Sequence, residues 1–254
     1  MATELATARD HCATRNGTIP RMEIVGAEPL SVEHIRERYE RLLGRLRAAA
    51  QDNGHDPERL RIVAVTKAWP AEVAQAALDA GLTRLGESRV QEAEPKVAAV
   101  AGAEWHFIGR LQSNKARRVV RAFAVIHSVD SLELLRRLTE LSVEEDRSPH
   151  LLLQVNVTGE TARTGMDPEA LLAAAVELRG APVIGLMAMA PMGASAQEAR
   201  VVFARLRAVR DRLQEVSGIG LPELSMGMSA DADAAAAEGA TLVRIGTAIF
   251  GPRG

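Results

Sequence analysis

From residue 61 onward the sequence alternates short apolar runs with amphipathic stretches, and few folds can be built from that rhythm. Eight candidate strands can be counted, over 61–67, 83–87, 105–109, 124–128, 151–157, 183–190, 223–228 and 242–250. The first, fifth and eighth are rich in Val, Ile or Leu without strict alternation, the pattern of strands buried on both faces of a parallel sheet. Between them the spacing predicts helices over 71–80, 88–100, 113–121, 131–145, 168–178, 196–216 and 232–238. Several open with start signals: Pro70 before Ala71, Ser131 before Glu133, and Asp167-Pro168-Glu169. A leading helix is capped by Ser31 and carries Ile35, Tyr39, Leu42, Leu43 and Leu46 at helical spacing, before Asn53-Gly54 turns the chain. Eight strands, seven intervening helices and one leading helix are the count of a single (β/α)8 barrel of the TIM type, an α/β fold. An open doubly wound sheet is the alternative that the same alternation allows. No repeat or linker stands out, so the expected organisation is a flexible tail over 1–28 and one barrel domain over 29–254.

Composition narrows the function classes. Of 254 residues, 47% are hydrophobic and 25% charged, a globular balance, and with only 3% aromatic the core must be built from Ala, Val, Leu and Ile. A formal charge of −2 creates no global field for nucleic acid or an anionic membrane, so neither is an expected partner. The one cysteine, Cys12, excludes an intrachain disulfide framework and fits a reducing cytoplasm. No apolar run approaches the roughly 20 residues of a spanning helix. The first 28 residues lack the apolar core of a signal peptide, and they mix Arg9, Arg15 and Arg21 with Glu4, Asp10 and Glu23, unlike a transit peptide. The expected location is the cytoplasm.

Two stretches carry chemistry. The first is Ile62-Val63-Ala64-Val65-Thr66-Lys67, in which a lysine ends a buried strand. Desolvating an ammonium costs several kcal/mol unless it is paired or neutralised, and the neutral amine is the nucleophile that condenses with an aldehyde. A lysine that simply emerges into solvent at the strand end is the plainer alternative. The second lies near the C-terminus, where Ser229 follows the seventh strand and Gly246-Thr247 lies in the eighth. Barrels commonly bind phosphate in the loops after their last two strands, with hydroxyls and backbone N–H groups as donors. Small residues also make tight strand–helix turns, which is the competing explanation. Asp231 and Asp233 suit the positive end of the helix that follows better than they suit a metal.

On these residues the chain resembles the YggS-like pyridoxal phosphate homeostasis proteins, which are similar in fold to the N-terminal barrel of bacterial alanine racemase. The matching segments are Ala64-Val65-Thr66-Lys67, Gly86-Glu87-Ser88-Arg89-Val90-Gln91-Glu92, the run 105–115 from Trp105-His106-Phe107 to Asn114-Lys115, His127-Ser128-Val129-Asp130-Ser131, and Gln154-Val155-Asn156-Val157. Gly185-Leu186-Met187 and the stretches 224–229 and 243–251 complete the set. The resemblance implies that Lys67 holds pyridoxal 5′-phosphate (PLP) as a Schiff base, that Ser229, Gly246 and Thr247 form the phosphate cup, and that Arg244 lies by the pyridine nitrogen. Asn156 and Met187 match pocket positions. A permanently charged arginine there disfavours protonating the ring nitrogen and weakens the ring as an electron sink. Two departures stand out. Ser88 replaces the asparagine usual after Gly-Glu, so a cofactor contact there is expected to be shorter or bridged by water. Arg163-Thr164-Gly165 replaces a Lys-Ser-Gly run, keeping the charge but not lysine chemistry.

Several residues take duller readings. His106 and His127 lie in or beside strands without a further ligand at metal spacing, so no metal site is expected. The basic stretch 115–121 reads as a solvated helix face, and Met187, Met189, Met192, Met226 and Met228 as barrel filling. Racemisation needs proton donors on both faces of the substrate carbon. In the racemases the second is a tyrosine from an additional C-terminal domain, whereas the one tyrosine here, Tyr39, falls on the leading helix, far from the expected mouth. The expected function is therefore a monomeric PLP carrier or regulator in vitamin B6 and amino-acid homeostasis, exchanging cofactor with PLP-dependent apo-enzymes. The alternatives are a weak PLP-dependent amino-acid racemase and a barrel that binds a sugar phosphate non-covalently.

Overall fold

Short runs dominated by Val, Ile and Leu, each followed by a helix long enough to return the chain, leave parallel pairing as the natural outcome. The computed structural model describes residues 30–160 and 163–252. The strands are β1 (Arg61–Val65), β2 (Arg84–Glu87), β3 (Glu104–Phe107), β4 (Val125–Val129), β5 (His150–Gln154), β6 (Val183–Met187), β7 (Glu223–Ser225) and β8 (Leu242–Ile245). They pair in sequence order, and β8 closes on β1 in parallel register, with Val63 opposite Arg244 and Ala64 opposite Ile245. The closed barrel is the expected fold, and it rules out the open sheet. The expected tail, and Cys12 within it, lie outside the described residues.

Nine α-helices are described: α1 (Val32–Asp52), α2 (Ala71–Asp79), α3 (Val90–Ala99), α4 (Ala116–Ala122), α5 (Leu132–Glu144), α6 (Pro168–Ala173), α7 (Ala196–Ser217), α8 (Ala232–Ala237) and α9 (Thr247–Phe250). The Ser31 hydroxyl caps α1 by accepting from His34 N, and Ile35, Leu42, Leu46 and Ala50 form its buried stripe. α1 packs on α8, whose buried face is all alanine, Ala232 and Ala234 to Ala237. Small residues there let the leading helix lie close to the barrel wall.

Alternation of side chains along the strands separates two apolar compartments. The larger fills the space between strands and helices. The smaller lies within the barrel and consists of Val63, Val125, Leu152, Met187 and Leu242. At the N-terminal ends of the strands, charged residues close the base. Arg61 donates to both carboxylate oxygens of Glu223 at 2.6 and 2.5 Å, and Arg84 meets Glu104 at 3.2 Å.

Three expectations change. The last strand does not run to residue 250: it ends at Ile245, and Phe250 N–H donates to Gly246 O at 2.9 Å, so Thr247–Phe250 is a turn of helix. Strands six and seven likewise stop early, at Met187 and Ser225, because the apolar residues beyond them serve loops. For that reason the methionines divide. Met187 and Met226 are buried, whereas Met189, Met192 and Met228 are exposed at the mouth rather than filling the barrel. In the basic stretch, the arginines are paired instead of merely solvated: Arg117 and Arg121 with Glu145, and Arg118 with Glu94. No helix among the described residues is long and apolar enough to cross a membrane.

Candidate functional site

Lys67 does not end the first strand. β1 stops at Val65, and Lys67 is the second residue of a turn closed by Trp69 N–H donating to Thr66 O at 3.0 Å. The next residue, Ala68, takes φ +64°, a left-handed conformation unfavourable for a residue with a Cβ and found where surroundings over-determine the backbone. Lys67 itself is half-buried, so desolvation is milder than a buried strand end would impose.

The constraint on this turn comes from behind it. Lys96 reaches in from α3 and donates to Thr66 O at 2.8 Å and to Glu87 Oε1 at 2.6 Å. Thr66 Oγ1 donates to the same carboxylate oxygen at 2.7 Å. All three side chains are buried, and a charged pair in that setting needs such added hydrogen bonds to offset its desolvation. Glu87 and Lys96 were not singled out from the sequence. The available signal was a lysine within the apolar face of a helix.

Across the β1–β8 seam stands Arg244. It is buried, and it donates from Nη1 to Ser225 Oγ at 2.5 Å and from Nη2 to Ala188 O at 3.1 Å. Burial pushes its pKa down to about 10, with Asp231 opposing the shift, so the guanidinium remains charged at neutral pH. Gly246 follows β8 where a Cβ would stand 3.3 Å from Val65 O, so the chain after β8 hugs the chain that leads to Lys67. Thr247 is exposed and opens α9; Ser229 is half-buried in the turn after β7. That turn is pinned by Asp231, whose carboxylate accepts from Met228 N at 2.6 Å rather than from its own helix. Asp233 instead pairs with Arg45 on α1 at 3.0 Å.

The remaining expected residues lie elsewhere around the mouth. Asn156 follows β5 and lines a cavity of about 280 Å³ with Gln154, Arg163, Thr164 and Met189. Its amide is engaged by the loop: Nδ2 donates to Glu160 O at 2.8 Å, and Oδ1 accepts from Thr158 at 2.9 Å. Met187 belongs to the inner apolar cluster. Ser88 is half-buried after β2, in a cleft shared with Arg89, Arg110 and Lys115. A Cβ at Gly109 would lie 2.0 Å from Ser88 O, so only glycine permits that approach. The strand ends thus bring Lys67, Arg244, Gly246 and Thr247 together at one seam, with Ser229 in the turn after the adjoining strand, β7. Asn156 follows β5, and Met187 ends β6. Among the described residues no three His, Cys, Asp or Glu side chains converge as a metal site.

Fold and seam together define a barrel of the alanine racemase N-terminal type, and the family described as "Alanine racemase, N-terminal domain" matches residues 42–254. The pyridoxal phosphate homeostasis protein of Pseudomonas aeruginosa is 42% identical over 224 residues, which cover 86% of this chain and 96% of that protein. That of Synechocystis is 41% identical over 203 residues, 78% of this chain and 93% of the relative. The structure of PipY from Synechococcus elongatus with PLP bound is 40% identical, with a TM-score of 0.76, and the match covers 85% of this chain and all 100% of PipY. Alanine racemase from Bartonella henselae, at 16% identity and a TM-score of 0.67 over 88% of this chain and 60% of the racemase, shares the fold. The chain belongs to the pyridoxal phosphate homeostasis protein family.

Proposed function

We propose that this chain holds pyridoxal 5′-phosphate through a Schiff base on Lys67 and serves as a carrier or regulator of the cofactor. The observation that carries the reading is the β1–β8 seam. It sets an amine on a constrained turn beside a glycine–threonine turn and a buried guanidinium. That donor set fits the cofactor: an amine for its aldehyde, hydroxyl and backbone N–H donors for its phosphate, and a cation for its ring nitrogen. A relative at 40% identity carries PLP in its structure, which supports the same reading.

When bound, PLP supplies an electron sink for carbanion chemistry. The residues of this chain restrain that capacity. Arg244 stays charged and disfavours a proton on the ring nitrogen, while Ser229, Gly246 and Thr247 hold the phosphate. Ser88, Asn156 and Met187 shape the rest of the pocket. Tyr39 does not offer the second proton donor. Its neighbour Arg38 donates to Ile249 O in α9 at 3.1 Å, so this part of α1 lies closer to the mouth than expected. The Tyr39 side chain nevertheless packs against the wall core. A monomer in the cytoplasm that exchanges cofactor with PLP-dependent apo-enzymes completes the proposal.

The test is borohydride reduction of protein reconstituted with PLP, followed by peptide mapping. An adduct on Lys67, absent from Lys67→Ala, is the expected result. An adduct on Lys115, with none on Lys67, would reject it. Solvent deuterium exchange at the α-carbon of amino acids separates carrier from racemase: rapid exchange dependent on Lys67 would overturn the carrier reading.

A further inference from the structure

A line of polar side chains, exposed only at Glu104 and buried from His106 onward, crosses the inside of the barrel from its base to Arg244. Glu104, at the first position of β3, stands 2.8 Å from His106 Nε2. His106 Nδ1 is 2.8 Å from His127 Nε2 on β4, and His127 Nδ1 is 2.7 Å from Ser225 Oγ on β7. Ser225 Oγ in turn accepts from Arg244 Nη1 at 2.5 Å. His106, His127 and Ser225 are 1%, 0% and 0% exposed, so water cannot substitute for a missing partner.

With Glu104 ionised and both rings kept neutral by burial, every proton in this line is fixed. Hydrogen bonding to His106 holds the Glu104 carboxyl below its usual range, and Arg84 lies against it at 3.2 Å, so Glu104 is an anion that only accepts. His106 must then carry its proton on Nε2, which leaves Nδ1 to accept. His127 must likewise carry its proton on Nε2 and accept at Nδ1. The Ser225 hydroxyl therefore donates to His127 and offers only lone pairs to Arg244. A second proton on His106 would set its Nδ1–H against His127 Nε2–H, and one on His127 would turn an N–H toward the Ser225 oxygen that already accepts from Arg244 and add a cation near it. Burial pushes both histidines toward the neutral form. The reverse order would need a protonated Glu104 beside Arg84. The charges facing this line are Arg61 and Arg84 at the base and Arg244 at the mouth, with Asp231 beside Arg244.

We propose that Glu104, His106, His127 and Ser225 are positioning residues for Arg244, a one-way donor chain that holds its guanidinium charged and aimed at the mouth from an anchor at the opposite end of the barrel. Each link turns its acceptor side toward Arg244, so the anion at the base orders dipoles that stabilise the cation above. The chain stands on this geometry and on the neutral rings that burial imposes; its effect on a ligand rests on the PLP reading given above.

Nitrogen-15 NMR of histidine-labelled wild-type protein tests the chain without any variant or ligand. Both histidines are expected as neutral Nε2–H tautomers at pH 7, and His127 carrying its proton on Nδ1 would overturn the proposal. Glu104→Leu removes the anchor and should shift the His127 ring signals, although the two residues do not touch. Glu104→Gln retains an acceptor and should preserve the tautomers. Unchanged His127 signals in a folded Glu104→Leu protein would reject transmission along the chain. With PLP added, Glu104→Leu should bind about tenfold more weakly than wild type and show a displaced cofactor absorption band. Equal affinity and an identical band would overturn the link to the mouth. If wild type binds no PLP, the cofactor reading falls, while the tautomers still decide the chain.

Discussion

Lys96 and Glu87 form an ion pair 2.6 Å long inside the barrel wall, and the same ammonium holds the carbonyl oxygen of the residue preceding Lys67. A buried pair of this kind is weak evidence for net stability, because desolvation offsets attraction, but it makes each partner dependent on the other. What it fixes is the entry to the Thr66–Trp69 turn, in which Ala68 is held at a positive φ.

Removing one partner should therefore be costly. Lys96→Met leaves Glu87 buried without its cation and is expected to destabilise the fold by about 3–5 kcal/mol. Adding Glu87→Gln, which keeps an acceptor for Thr66 Oγ1 but not the charge, should recover at least half of the loss. Urea unfolding midpoints of the single and double variants provide the measurement. A single variant within 1 kcal/mol of wild type, on the order of a surface substitution, would show that the pair does not constrain the turn.

The pH dependence of stability follows from the buried histidines. Burial lowers the pKa of His106 and lowers that of His127 further, each from 6.5. His55, beside Arg207, shifts the same way. In the unfolded chain these rings take up protons as pH falls through 6.5, whereas in the folded chain they resist. The unfolded state then binds more protons, so stability is full above that value and declines as pH falls toward 5. Glu104, lowered from 4.5, adds its own loss only at more acidic pH. The urea midpoint of wild type should drop between pH 7 and pH 5, and by less in His127→Asn. A midpoint that rises over this interval would contradict neutral, buried rings.

Gly165 offers a backbone prediction. Its φ is +135°, and a Cβ there would stand 2.7 Å from Asn156 N. It sits beside the bridge in which Met166 N–H donates to Gln154 O at 2.8 Å and Asn156 N–H donates to Met166 O at 2.9 Å. Gly165→Ala should cost roughly 1–3 kcal/mol through strain and loosen the loop that engages the Asn156 amide. Hydrogen exchange at the Met166 and Asn156 amides is the direct readout. Unchanged protection would mean that the loop accommodates the methyl group.

These residues also show what the sequence discloses and what it hides. Runs such as Leu151, Leu152 and Leu153 revealed parallel strands because burial on both faces leaves no polar alternation. The same reasoning overextended β6, β7 and β8, since Ala188, Met226 and Ile249 are equally apolar while packing as loop or helix. Hydrophobicity reports burial, not hydrogen-bond ladders. Lys67 was legible as a cation beside an apolar run, whereas Arg244 came only from the family resemblance. The partners that position them were not, because closing the barrel creates those contacts: Ser225 meets His127 across 98 residues of sequence, and Lys96 meets Thr66 across 30.

The last prediction concerns the seam itself. A methyl group at Gly246 would lie 3.3 Å from Val65 O, close enough to require a shift of a few tenths of an ångström, and its next contacts, at 3.5 and 4.0 Å, are the Val65 side chain. Gly246→Ala should therefore fold with a slightly lowered midpoint. Gly246→Val adds bulk beside the backbone N–H groups assigned to the phosphate. Displacing one or two hydrogen bonds to a charged group costs about 1.5–3 kcal/mol each. The valine variant should then bind PLP at least about tenfold more weakly than wild type, with alanine in between. Fluorescence titration with PLP, run beside unfolding midpoints to separate binding from folding, measures the series. A folded valine variant with wild-type affinity would place the phosphate somewhere other than the turn after β8.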